Sequence, residues 1–84
     1  MTEKPQKIIF YGTSWCYSSR KARTVFDQNN IPYHWIDIDY DEEGRSYVEK
    51  VNRGFRSVPT LVFPDGSILV EPTNNELLEK LGLK

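Results

Sequence analysis

Apolar and polar residues follow one another along this chain in short blocks whose period changes from two to nearly four and back. Ile8-Ile9-Phe10-Tyr11 is a run of β-branched and aromatic residues, the pattern of a buried strand, which is assigned to residues 7–11. Gly12, Thr13 and Ser14 supply a turn. Beyond it Ala22, Val25, Phe26 and Asn29 keep helical spacing. A helix is therefore expected from Cys16 to Gln28, ending at Asn29-Asn30 ahead of Ile31-Pro32. Tyr33 to Asp39 then alternates in period two with Ile36 and Ile38 on one face, a second strand. A strand, a helix and a strand in succession make a βαβ unit, whose two strands run parallel.

The carboxylates Asp39, Asp41, Glu42 and Glu43 suit the positive end of a second helix. Tyr47, Val48 and Val51 form its apolar stripe, and Gly54 is its natural stop. Leu61-Val62-Phe63 and Ile68-Leu69-Val70 flank the turn sequence Pro64-Asp65-Gly66-Ser67, an antiparallel hairpin. Pro72 ends the hairpin. Thr73 and Glu76 have the spacing of a capping box, Leu77, Leu78 and Leu81 form the buried stripe of a last helix, and Gly82 closes it. The order is βαβαββα. The expected class is α/β, a four-stranded mixed sheet flanked by three helices.

Bulk properties narrow the field. At 84 residues the chain is expected to form one domain, 1–84, with Met1 to Gln6 a frayed polar lead-in. A net charge of −1 gives no electrostatic footprint for nucleic acid or an anionic membrane, so neither is expected as a partner. With 38% hydrophobic and 13% aromatic residues, disorder is excluded. One cysteine rules out an internal disulfide framework and fits a reducing compartment. No signal peptide or long apolar run is present, which leads to the expectation of a cytoplasmic protein; a monomer is the default at this size.

That single cysteine lies in Tyr11-Gly12-Thr13-Ser14-Trp15-Cys16-Tyr17-Ser18-Ser19-Arg20, where a strand hands over to a helix. Cys16 is expected in the first helical turn, where unsatisfied N–H groups and the helix dipole favour negative charge. A thiol there becomes the nucleophilic thiolate more readily, and Arg20 and Lys21 add positive charge nearby. Trp15 offers an apolar cover for one side of the sulfur. The alternative is an ordinary buried cysteine. The polar flanks Ser14, Ser18, Ser19 and Arg20 argue against it. His34 sits mid-strand with no Cys–His constellation and is taken as structural. The acidic cluster before the second helix lacks a recognisable ligand spacing, so a solvated helix start is preferred to a divalent-cation site, and no metal is assigned.

The element order, a cysteine opening the first helix and a Val-Pro before the third strand together resemble the thioredoxin fold, and specifically the glutaredoxin family, over nearly the whole chain. Thr13-Ser14-Trp15-Cys16 looks like that family's active-site sequence, and Ser57-Val58-Pro59-Thr60 like its Thr-Val-Pro loop. A cis bond at an X-Pro is by itself a minority outcome, about one in twenty; the resemblance implies one at Val58-Pro59, with the proline against the active-site sulfur. Ile31-Pro32-Tyr33, Trp35-Ile36-Asp37-Ile38-Asp39 and Arg56-Ser57-Val58-Pro59-Thr60 look most like bacterial mycoredoxin and NrdH-like glutaredoxins.

The sequence also departs from the family. Dithiol members have Cys-x-x-Cys, but Ser19 holds the fourth position here. A hydroxyl can hydrogen-bond a Cys16 thiolate but cannot resolve a mixed disulfide. The chain is then a natural monothiol protein, or Ser19 is an engineered Cys→Ser change. Cluster-bridging monothiol members carry Cys-Gly-Phe-Ser; bulky Tyr17 in place of glycine argues against an iron–sulfur cluster. Val70-Glu71-Pro72-Thr73 replaces the Gly-Gly and Asp that hold the γ-glutamyl end of glutathione, which leaves room for another thiol such as mycothiol.

The resemblance implies a thiol–disulfide oxidoreductase with no tightly bound cofactor. Its partners would be protein mixed disulfides and a low-molecular-weight thiol, glutathione or mycothiol, as co-substrate. Cys16 and Ser19 are the candidate catalytic positions, and Trp15, Tyr17, Arg20, Arg56, Val58 and Pro59 the candidate thiol-binding ones. Arg56 would pair with a carboxylate of the small thiol, a solvated loop arginine being its alternative, and Val58 would offer backbone groups to an extended ligand. Tyr11 is better read as core. Two rivals stand beside this reading. One is the arsenate-reductase-like branch suggested by Cys16-x-x-Ser19-Arg20, whose members carry a helical insert for which this chain has no room. The other is a non-catalytic binding module of the same fold, which would leave mixed disulfides untouched.

Overall fold

The computed structural model describes residues 6–83, so the lead-in expected from Met1 to Gln6 lies outside it apart from Gln6. The elements are β1 (Ile8–Gly12), α1 (Tyr17–Gln28), β2 (Tyr33–Asp37), α2 (Glu42–Val51), β3 (Thr60–Val62), β4 (Ile68–Val70) and α3 (Asn74–Lys80). The strands form one mixed sheet in the order β2-β1-β3-β4. β1 pairs in parallel with β2, Phe10 opposite Trp35, and antiparallel with β3, Phe10 opposite Leu61; β3 and β4 form the expected hairpin. The expected α/β class and element order hold throughout.

β1 is an interior strand, between β2 and β3, and both its faces are apolar. Phe10 faces α1 and α3 and is fully buried in a cluster with Ala22, Val25, Phe26, Leu61 and Leu77. It meets Phe26 edge-to-face at 5.6 Å and Trp35 at 5.2 Å. Tyr11 faces the other way, joining Ile38, Val48 and Val62 beneath α2. Successive strand residues point to opposite faces, so two adjacent aromatics anchor two separate cores. The α3 stripe packs as expected, although only Leu77 is fully buried while Leu78 and Leu81 lie partly exposed at the edge of the cluster.

Element ends are where polar chemistry overrides apolar pattern. β2 stops at Asp37, two residues early, because the Asp37 carbonyl accepts the N–H groups of Tyr40 and Asp41 in a turn. Ile38 nevertheless stays buried, and its N–H donates to the Gly12 carbonyl. α2 begins at Glu42, with Asp41 as its N-cap accepting from the Gly44 N–H at 2.8 Å. Asp39 is thus in the turn, not in the helix. α2 ends at Val51; Gly54, at φ +95°, folds back three residues later to donate to the Glu49 carbonyl. Thr73 and Glu76 make the capping box of α3 in full. β4 is an edge strand of three residues whose Ile68 and Val70 are 39% and 40% exposed.

The hairpin turn is tied to α3 by Lys80, whose ammonium lies 2.7 Å from Asp65 and over the Phe63 ring. That hydrogen bond, with those from the Ser67 hydroxyl and amide, holds the Asp65 carboxyl well below the usual carboxylate range. A depressed acid stabilises the fold above its unfolded-state pKa of about 4, and that contribution fades as pH falls below it. Replacing Lys80 by Ala is expected to bring Asp65 back toward ordinary carboxylate titration, read by carbon-detected NMR of the Asp65 carboxyl. An unchanged midpoint in the variant would show that Ser67 alone sets it.

Candidate active site

β1 delivers the chain at Gly12 into a turn, and α1 starts at Tyr17 with Cys16 as its N-cap in an extended conformation (φ −77°, ψ 123°). The Cys16 carbonyl takes the first helical hydrogen bond, from Arg20 N–H at 3.0 Å. No side chain caps the helix, and its first turn holds no acidic residue. The first amides of α1 therefore lack intrahelical and side-chain acceptors, next to the sulfur. Cys16 was expected as the first helical residue; it lies one position earlier, at the mouth of the same amide cluster. The thiol is half-buried, and Sγ donates weakly to the Val58 carbonyl at 3.9 Å.

The Val58-Pro59 bond is cis. Pro59 is buried, and its carbonyl accepts from Glu71 N–H at 2.8 Å. Thr60 donates its hydroxyl to the Ser57 carbonyl and accepts from Asn52, which also reaches the Val48 carbonyl. The start of β3, the end of α2 and the residue after β4 thus fix the loop that faces the sulfur. Val58 N–H donates to no group among the described residues.

Ser19 departs from expectation. It is 0% exposed, unlike exposed Ser14 and Ser18, and its Oγ accepts from Thr13 N–H at 3.5 Å instead of pairing with Cys16. The reason is helical spacing: Ser19 shares the inward stripe of α1 with Ala22, Val25 and Phe26. Reading polar residues as exposed fails there. Beside it Thr13 is buried with its hydroxyl unpartnered among the described residues.

The other predicted residues sit at the surface around this centre. Trp15 is 69% exposed, and its indole N–H donates to Asp39 at 2.7 Å, pinning the Cys16 turn to the β2–α2 turn. Tyr17 is exposed with the Lys21 ammonium 5.7 Å from its ring centre, so Lys21 leans on Tyr17. Arg20 is exposed. Arg56 is engaged with Glu49 at 2.6 Å at the surface. Tyr11 is core, stacked on Tyr47 at 5.0 Å, and His34 is an exposed residue of β2 opposite Ile9. Sequence reasoning missed Asp39 and Asn52. Nothing local announces either, because each acts on a residue distant in the chain.

A lone, accessible cysteine at a helix N-terminus, faced by a buried cis-proline loop, can be compared with known proteins. The profile of the glutaredoxin family matches residues 8–68. The chain belongs to the glutaredoxin family. A protein named as a glutaredoxin in Mycobacterium tuberculosis is 38% identical over 74 residues, covering 88% of each chain. Mycoredoxin 1 of Corynebacterium glutamicum is 35% identical over 74 residues, 88% of this chain and 91% of that one. The crystal structure of a thioredoxin-like protein mutant superposes with a TM-score of 0.82 over 95% of this chain and all of that one, at 22% identity, a likeness of fold. Family and fold support thiol–disulfide oxidoreductase chemistry for this glutaredoxin-family chain.

Close packing at Gly12 holds the glutaredoxin site together. A Cβ there would lie 2.8 Å from Ser19 Oγ and 2.9 Å from Trp35 Cζ3. Gly12→Ala is expected to destabilise the fold by about 1–3 kcal/mol, a drop in Tm of roughly 4–8 °C per kcal/mol at this size. Thermal unfolding followed by circular dichroism checks this; an unchanged Tm would mean that α1 and β2 shift freely to make room.

Proposed function

We propose that this chain reduces mixed disulfides between proteins and a low-molecular-weight thiol, by a monothiol route through Cys16. The observation that carries the reading is the setting of that sulfur: half-buried at an uncapped helix N-terminus, 3.9 Å from the Val58 carbonyl. The sulfur of Cys16, as thiolate, attacks the small-thiol sulfur of the mixed disulfide. The old S–S bond breaks, and the protein leaves as a thiolate that takes up a proton. Cys16 now carries the small thiol in a new disulfide. A second small-thiol molecule, giving up its proton, attacks the adduct, releasing its symmetrical disulfide and restoring the Cys16 thiolate.

The remaining roles follow from position. Ser19 fills the place of a resolving cysteine and forms no disulfide. The uncapped amides of α1 and exposed Arg20 lie at the helix end that carries the sulfur. Val58, with its free N–H and its carbonyl, offers strand-like pairing to the peptide part of the thiol, held in place by Pro59. Trp15 and Tyr17 flank the groove. Arg56 receives a carboxylate of the thiol by exchanging it for Glu49, an exposed pair of small value. Likeness to mycoredoxin 1 supports mycothiol ahead of glutathione. A single domain acting as a monomer in the reducing cytoplasm completes the reading.

Single-turnover mass spectrometry with mycothiolated and glutathionylated test proteins checks it. Wild type is expected to accumulate one small-thiol adduct on Cys16, and Cys16→Ser to fall to background. Ser19→Cys is expected to shed the adduct by forming an internal disulfide between Cys16 and the introduced thiol. Failure to turn over either mixed disulfide would remove the oxidoreductase reading and leave a binding module.

A further inference from the structure

On the sheet face away from α1, a cavity of about 350 Å³ lies between the sheet and α2, lined by Tyr11, Ile36, Asp41, Glu43, Gly44 and Tyr47. One wall is the stacked pair Tyr11 and Tyr47, ring centres 5.0 Å apart and 25° from parallel. Gly44 brings the α2 backbone down beside Ile36, where a Cβ would lie 2.7 Å from Ile36 Cγ2 and 3.4 Å from Tyr11 Cδ1. Exposed Asp41 and Glu43 form the mouth.

Two things in this cavity lack a counterpart. Tyr11 is only 8% exposed, yet its hydroxyl makes no hydrogen bond with any described residue. Burial, and then the proximity of Tyr47 and Asp41, raises its pKa above the ordinary phenol value, so it stays a neutral hydroxyl with open lone pairs. The carboxylates at the mouth face the positive end of α2 but no cationic side chain. Among the described residues the ion pairs are Arg56–Glu49 and Lys80–Asp65, and nearby Arg45 spends its guanidinium on the Ile38 carbonyl at 2.9 Å. Asp41 uses one oxygen to cap α2, leaving the other.

We propose that this cavity binds a primary alkylammonium group. The three N–H donors match two carboxylates and a phenol oxygen, the charge is drawn to the aromatic rings, and the methylene stem lies against the rings and Ile36. A divalent cation is served less well, because no group of three or more His, Cys, Asp or Glu able to hold a metal ion occurs among the described residues. The ammonium can come from a free amine or from a lysine side chain of a polypeptide. The site does not use Cys16 and stands independently of the redox reading, although the Trp15–Asp39 hydrogen bond joins its turn to the Cys16 turn.

The test is an amide NMR titration of the full chain with cadaverine and, separately, Nα-acetyl-lysine methylamide. 1-Pentanol, sodium chloride and magnesium chloride at matched concentration are the controls. Saturable shifts at Tyr11, Ile36, Gly44 and Tyr47 are expected, with a Kd on the order of millimolar. The variant carrying Asp41→Asn and Glu43→Gln should bind at least about tenfold more weakly while keeping the α2 cap, since Asn caps as well as Asp. Tighter binding of the blocked lysine would assign the site to polypeptide lysines, and tighter binding of cadaverine to free amines; either supports the proposal. Shifts that do not saturate, that pentanol or magnesium reproduces, or that persist undiminished in the double variant would overturn it.

Discussion

The bare backbone of Gly12 is the constraint on which this structure depends. At that residue the interior strand β1, the first helix and the β2 aromatic Trp35 converge to distances that leave no room for a single added carbon. Because β1 ends there, the turn to Cys16 has a fixed point of departure, and the Gly12 carbonyl receives the Ile38 amide that carries β2 into its own turn. Trp15 then bridges the two turns through Asp39. The Cys16 sulfur is thus located by backbone held on both sides and not by packing of its own side chain, which stays half in solvent. Such support from rigid elements keeps a functional atom in place without burying it.

Much of this was legible in the sequence because local signals and tertiary needs agree. The Thr73/Glu76 capping box, the Pro64–Ser67 turn and the double apolar run of β1 each have one economical structural meaning, and the fold adopts it. The boundaries of β2 and α2 were less legible. Ile38 continues the strand's alternation and is buried accordingly, but the Asp37 carbonyl has already turned away to bind Tyr40 and Asp41. Side-chain pattern and backbone pairing part company there, and only the pattern is written in the residues.

At the site the same division holds. The placing of Cys16 at the start of α1 and the cis Val58-Pro59 bond matched expectation because each is signalled by residue type and its neighbours. Ser19 was misjudged because its hydroxyl suggested solvent while its helical phase dictated the interior. Asn52, which steadies the loop through Thr60, and Asp39, which holds Trp15, depend on pairings between residues eight and twenty-four apart in the chain. No single-sequence signal specifies contacts of that kind.

The far edge of the sheet shows what a small protein gains from brevity. β4 presents two half-exposed β-branched side chains on a strand paired along one side only, the combination that invites a second chain to add itself. Only three residues are extended, however, with Pro64 before the turn and Pro72 just beyond, and Glu71 at φ +47° bends the backbone off the sheet line. An incoming strand finds too few consecutive hydrogen-bonding groups to register against. At this edge the fold therefore keeps an apolar rim that offers an incoming strand little to pair with.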